Sequence, residues 1–308
     1  MKVGIVGAGL VGATAGYAIG MTGAAREVVL VDKNSALAEA QAADILHAMP
    51  FAGNVSVRAG DYQTLEGADV IILAAGVAQE PGESRLDLLG RNAAVFEAVI
   101  GNVLGVVSNP ILVVATNPVD IMTDVALRLS GLARARVIGS GTILDTARFR
   151  ALLAAHLEVS PLSLHAYVLG EHGDSEVLAW SGARVGTMPL ADFAAKVGRP
   201  VTEAVRAEID EGVRRAAYKI IAGKGATGYG IGGGLARIVA AIARDERTVL
   251  SVSAQPEARD WPQAAFSVPR LIGRGGLLAD LTPTIDAGER DALAASAALL
   301  KETSDALR

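Results

Sequence analysis

The chain has 308 residues, 51% of them apolar and 20% charged, with a formal net charge of −5. That length can bury a sizeable core, and the composition excludes intrinsic disorder. The lack of cysteine excludes disulfides, thiolate metal sites and a cysteine nucleophile, and no Lys/Arg run marks a nucleic-acid or anionic-membrane surface.

Taken in chain order, the start is too short an apolar run for a secretory signal, because Gly7 interrupts it at once. Short β-branched runs at 2–6, 27–32, 69–74 and 111–116 predict buried strands, with weaker ones at 55–59 and 136–139. Amphipathic segments at 10–22, 35–49, 86–107 and 121–130 predict the intervening helices. The apolar stretch near 95–107 is broken by Glu97, Gly101, Asn102 and Gly105 and cannot span a bilayer. Strand–helix alternation implies an α/β domain over 1–141, a parallel sheet with helices on both faces.

Beyond 141 the rhythm changes. A helix is expected at 143–156, a strand at 164–169, a long helix at 201–222 and another at 232–244. Strands at 249–253 and 266–272 and a closing helix at 286–307 complete an α+β second domain over 142–308. The expectation is a soluble, cytoplasmic protein without nucleic-acid or membrane partners.

Three constellations carry chemistry. The first is Gly7-Ala8-Gly9-Leu10-Val11-Gly12, lying directly between a strand and a helix. Its glycines suit a tight turn, close approach to a pyrophosphate and close helix packing, and the helix N-terminus attracts the anion. Asp32 ends the second strand twenty residues after Gly12, where a carboxylate can bond ribose hydroxyls and repel a 2′-phosphate. Together these predict a doubly wound Rossmann unit that binds NAD.

The second constellation is chemical. His172, flanked by glycines in Gly170-Glu171-His172-Gly173-Asp174-Ser175, suits proton exchange at a carbinol oxygen. A structural histidine or half a metal site is the plainer alternative, although no second His or Cys cluster supports a metal. Asp145 and Arg148, three apart on a predicted helix, share a face. They form either a solvated ion pair or an orienting carboxylate beside a fork for a substrate carboxylate. The third constellation, residues 76–85 from Gly76 to Arg85 and including Gln79, reads as a lid or simply as a solvated loop.

The ordered set GAGLVG, VD, AGVAQEPGESRLDLL, TNPVD, LDTARFR, GEHGDSE and KGAT resembles the lactate/malate dehydrogenase family, nearest its bacterial lactate-specific members. The resemblance implies an NAD-dependent oxidoreductase with a Rossmann domain and an α+β substrate domain. His172 would be the proton donor and acceptor and Asp145 its partner. Arg148 would bind the substrate carboxylate, Arg85 would polarise the carbonyl from the lid, and Asn117 would bond near substrate and nicotinamide. Gln79 stands where malate-specific members carry arginine, and Thr227 matches the threonine of lactate-specific ones. The implied substrates are therefore pyruvate and L-lactate, as in fermentative glycolysis. Malate or a broader 2-hydroxy acid is the nearest rival, and a non-catalytic NAD-binding redox sensor the rival of another class. Arg150 and His165 match positions that bind fructose 1,6-bisphosphate in some members, which implies an allosteric homotetramer; a surface arginine and a buried histidine remain the plainer reading.

Overall fold

The computed structural model describes residues 1–77, 82–83, 85–259 and 261–307. In the first half, β1 (Lys2–Val6), α1 (Leu10–Thr22), β2 (Glu27–Val31), α2 (Ser35–Ala48) and β3 (Ser56–Ala59) follow in turn. They are succeeded by β4 (Val70–Leu73), α3 (Arg85–Leu104), β5 (Ile111–Val114), α4 (Val119–Ser130) and β6 (Val137–Gly139). These strands pair in parallel in the order β3-β2-β1-β4-β5-β6, a doubly wound sheet whose order reverses between β1 and β4. Strand side chains alternate faces, so both faces must be apolar when helices cover both. Val3, Ile5, Val28, Leu30, Val70 and Ile72 enter one core with α1 and α2, while Val29, Val31, Ile71, Leu73, Leu112 and Val114 enter another with α3 and α4.

The second half opens with α5 (Ile143–Leu157), then β7 (Leu164–His165), β8 (Val168–Leu169), β9 (Val177–Leu178), β10 (Arg184–Val185) and β11 (Met188–Pro189). Helices α6 (Leu190–Lys196), α7 (Glu203–Arg214), α8 (Ala216–Lys224) and α9 (Tyr229–Ala243) follow. Last come β12 (Thr248–Ala254), β13 (Phe266–Gly273), β14 (Gly276–Asp280) and α10 (Ala287–Asp305). Strands β12 to β14 do not form a separate sheet. β12 pairs antiparallel with β6 at Ser253 and Gly139, and β13 and β14 continue outward to give nine strands in one sheet.

Helix α9 packs closely along α1. A Cβ at Gly232 would come within 2.8 Å of the Thr14 carbonyl, so only glycine allows this approach. Thr14 Oγ1, whose shortest hydrogen bond runs back to the Leu10 carbonyl at 2.6 Å, also lies 3.2 Å from the Gly228 carbonyl, so the residues just before α9 sit against α1.

Two expected elements are divided. The strand expected at 164–169 becomes β7, which pairs with β10, and β8, which pairs with β9. Between them the Ala166 carbonyl accepts from Arg150 Nε (2.8 Å), a side-chain partner in place of a ladder partner. The long helix expected at 201–222 ends as α7 at Arg214 and resumes as α8, with Arg215 at ψ 0° between them. Arg214 is tied to Asp210 and to the Asp174 carbonyl, which holds the end of α7 down, whereas α8 buries none of its residues. Among the described residues no helix is long and apolar enough to cross a membrane.

Candidate active site

The cofactor end is built at the reversal of strand order, where a doubly wound sheet leaves a crevice at its carboxyl edge. Gly7 has φ +104°, and a Cβ there would lie 2.5 Å from the Ala75 nitrogen. A Cβ at Gly12 would come 1.9 Å from the Gly7 carbonyl oxygen, so the turn closes only around glycine. Gly9 differs: a Cβ there would meet nothing within 4 Å, and no side chain caps α1. Leu10, Val11 and Gly12 thus begin a helix that no side chain caps, entered through an open glycine, and such an N-terminus suits a pyrophosphate. Asp32 stands at the carboxyl end of β2. Its Oδ2 accepts the Ala8 N–H (2.7 Å) and its Oδ1 the Asn34 N–H (2.9 Å), and a cleft bounded by Asp32, Ser35, Gly60 and Thr64 opens beside it. Lone pairs remain on both oxygens for hydroxyl donors. These residues fit a dinucleotide.

The second centre lies where α4, α5 and the 170–176 loop converge. Asp145, 2% exposed in the first turn of α5, places Oδ2 at 2.5 Å from His172 Nδ1 and Oδ1 at 2.8 Å from Arg148 Nη1. One carboxylate thus aligns both the imidazole and the guanidinium. Because Asp145 only accepts, Nδ1 carries the hydrogen and Nε2 is left as the exchanging nitrogen. Burial alone would pull the His172 pKa down, but the charge and hydrogen bond of Asp145, then the charges of Asp120 and Glu176, raise it to about 9. Burial would raise Asp145, yet the charge and hydrogen bond of His172 and then those of Arg148 outweigh it and hold the carboxylate below its ordinary value. At neutral pH the pair is an imidazolium beside a carboxylate.

The loop that carries His172 is fastened from three sides. Gly170 exchanges main-chain hydrogen bonds with Ser267 of β13, both 2.8 Å. The Glu171 N–H donates to Ser296 Oγ of α10 at 2.9 Å, and the His172 N–H donates to Asp120 Oδ2 of α4 at 2.7 Å. Asp120, Ser296 and Glu176 were not legible as site residues in the sequence. The only signal for Asp120 was its place at the end of the TNPVD motif. Glu176 is 4% exposed, and burial beside the Asp145 charge lifts its pKa to about 8 despite the opposing charges of Arg214 and His172.

The remaining expected residues are distributed as follows. Asn117 is exposed just past β5, three residues before Asp120. Gly76 follows β4 at the start of the expected lid, where buried Asn92 accepts the Val77 N–H at 2.9 Å. Gln79 lies outside the described residues, as does the side chain of Arg85, which opens α3. Thr227 is half-buried in the turn between α8 and α9, next to the Gly228 held on α1. Arg150 and His165 line one cleft with Tyr167, Tyr229 and Arg237, away from His172. His165 is exposed rather than buried, and the Arg150 guanidinium lies 4.7 Å from the Tyr167 ring centroid. No group of His, Asp and Glu among the described residues could hold a metal ion.

Known proteins match this chain over nearly their whole length. Residues 1–139 match the lactate/malate dehydrogenase NAD binding domain, and residues 142–307 match the alpha/beta C-terminal domain of the same family. An L-lactate dehydrogenase of Allorhizobium ampelinum is 63% identical over 98% of both chains. An L-lactate dehydrogenase of Thermus aquaticus is 59% identical over 100% of this chain and 99% of its own. Among solved structures, a minor L-lactate dehydrogenase from Enterococcus mundtii superposes with a TM-score of 0.94 at 41% identity, covering 100% of this chain and 98% of its own.

Proposed function

We propose that this chain, which belongs to the lactate/malate dehydrogenase family, interconverts pyruvate and L-lactate, with His172 as the acid–base group. The observation that carries the reading is the single Asp145 carboxylate shared between His172 Nδ1 and Arg148. The Gly7–Gly12 turn and Asp32 in the NAD binding domain would hold NAD, which would supply or accept the hydride.

The chain's own residues perform the rest. Arg148 spends one N–H on Asp145 and offers the other donors of its planar fork to a substrate carboxylate, which fixes the 2-oxo acid in one orientation. His172, protonated below about pH 9, gives its Nε2 proton to the carbonyl oxygen as that oxygen gains charge, which forms the hydroxyl of lactate. Asp145 stabilises the imidazolium before transfer and keeps the ring in place after it. In the oxidation direction the neutral ring takes the same proton back. Arg85 and Asn117 would add donors at the carbonyl, and a closing lid would exclude water from them.

Lactate is favoured over malate by Gln79, which offers no counter-charge to a second carboxylate, and by Thr227. The names of the relatives, L-lactate dehydrogenase at up to 63% identity, support the same choice. The decisive assay compares kcat/KM for pyruvate and oxaloacetate with NADH. Pyruvate should be the better substrate, and His172→Asn should abolish turnover while NADH still binds. A preference for oxaloacetate refutes the lactate reading, and full activity of His172→Asn refutes the role of His172. We also propose a division at 141/142 and a cytoplasmic homotetramer in which Arg150 and His165, facing one cleft, bind fructose 1,6-bisphosphate. The same assay, run with and without that compound, tests the site: activation is expected, and no response removes it.

A further inference from the structure

We infer that Asp120 is a positioning residue for the acid–base group, clasping the His172 main chain and adding negative charge that holds the proton on its imidazole. The inference rests on the proposed role of His172. Asp120 is 1% exposed in the first turn of α4, and its Oδ2 accepts the His172 N–H at 2.7 Å. Residues 120 and 172 are 52 apart in sequence, so the contact joins two otherwise separate parts of the site. Asn117 lies three residues before Asp120 in the same segment. Asp120 thus ties the His172 main chain to the segment that also carries Asn117.

A clasp alone needs no charge. An amide or a main-chain carbonyl would satisfy the same N–H, whereas a buried carboxylate carries a desolvation cost. That cost is visible: burial raises the Asp120 pKa to about 6, against the lowering effects of the Ser253 hydroxyl and then of the His172 N–H and charge. What the carboxylate adds is field. Its charge is among the causes that raise His172, after the charge and hydrogen bond of Asp145 and ahead of Glu176. Other charged groups face the pair: Asp145 and Arg148 from α5, Glu171 and Glu176 from the loop itself, and Arg270 from β13. Arg214 of α7 faces Glu176. Asp145 already pairs directly with the imidazole, so Asp120 acts as a second negative group on the backbone side of the same residue.

The experiment uses Asp120→Asn, which keeps an acceptor for the His172 N–H and removes the charge. Two midpoints are read: the imidazole titration of His172 in the cofactor-free protein labelled with 15N-histidine, and the alkaline limb of kcat/KM for pyruvate. Both should fall by about half a pH unit or more, with kcat near pH 6.5 kept within about threefold of wild type. Ser296→Ala is the companion variant, since it loosens the Glu171 anchor without changing charge. It should lower kcat and leave both midpoints in place. Unchanged midpoints in Asp120→Asn overturn the inference, and so does an equal shift in Ser296→Ala. Should Asp120→Asn fail to fold, Asp120→Ser takes its place, because its hydroxyl can accept from the same N–H without a charge. Both midpoints should fall in the same way, and unchanged midpoints overturn the inference. Failure of the underlying reading looks different: His172→Asn would stay active whatever the midpoints do.

Discussion

Replacing Asp145 by Asn keeps the size of the side chain and removes the charge that His172 and Arg148 share. The His172 pKa of about 9 stands roughly 2.5 units above its ordinary 6.5, a difference worth about 3 kcal/mol in favour of the protonated ring. Burial opposes that protonation, so without the carboxylate the ring should titrate at or below about 6.5. At pH 7.5 the protonated fraction would fall from about 97% to under about 10%, an approximately tenfold loss in pyruvate reduction from protonation alone. An asparagine amide can also turn its NH₂ toward Nδ1 and favour the wrong tautomer, and Arg148 loses its anchor. Misorientation should cost a further factor of about 10–100 that acidification does not restore. The assay is kcat/KM for pyruvate with NADH from pH 5 to 10, with NADH affinity measured separately to show that the cofactor site is intact. Wild type should hold its rate to near pH 9 and then decline; Asp145→Asn should decline from near pH 6.5 and recover its tenfold component by about pH 5.5. An alkaline limb that stays near pH 9 in the variant, with a loss independent of pH, would refute the reasoning.

Two further predictions concern the turn and the loop. Gly9→Ala should fold with an unchanged Tm, because its Cβ meets no protein atom within 4 Å, while NADH affinity drops at least tenfold; Gly12→Ala should lose folding and binding together, because its Cβ would sit 1.9 Å from the Gly7 oxygen. Equal NADH affinity in Gly9→Ala and wild type, by fluorescence titration, would count against pyrophosphate binding at this N-terminus. Glu176, held at about 8 instead of its ordinary 4.5, keeps a proton that the unfolded chain releases, so its cost to stability grows as pH rises from about 4.5 to 8. Glu176→Gln should therefore raise Tm by about 2–4 °C at pH 8 and by nothing near pH 4. A gain that is the same at both pH values rejects this account.

The sequence by itself determined the parts that rest on local pattern. Short, near-continuous β-branched runs in β1, β2, β4 and β5 announced strands buried on both faces, because a parallel sheet covered by helices needs apolar residues on each side. Gly7 and Gly12 were legible because a turn this tight has no room for a Cβ, and Asp32 because it stands one strand later at the same edge. Asp145, Arg148 and His172 could be singled out by residue type and, for the first two, by helical spacing. That one carboxylate serves both was given only by the family resemblance and not by the residue pattern, since it depends on bringing α5 against a loop 27 residues away. The rest was decided by tertiary structure. No periodicity forecasts that β12 will pair with β6 and carry the sheet into the second half, or that Ser267 and Ser296 will come to hold the His172 loop. Arg215 carries no helix-breaking chemistry; the helix divides beside Arg214, which is tied to the His172 loop through the Asp174 carbonyl. Asp120 reads locally as an acidic residue in a helix first turn, favourable to the dipole and unremarkable. Only folding makes it a buried acceptor for His172, because burial and the approach of a distant main-chain N–H are properties of the packed chain and not of its neighbours in sequence.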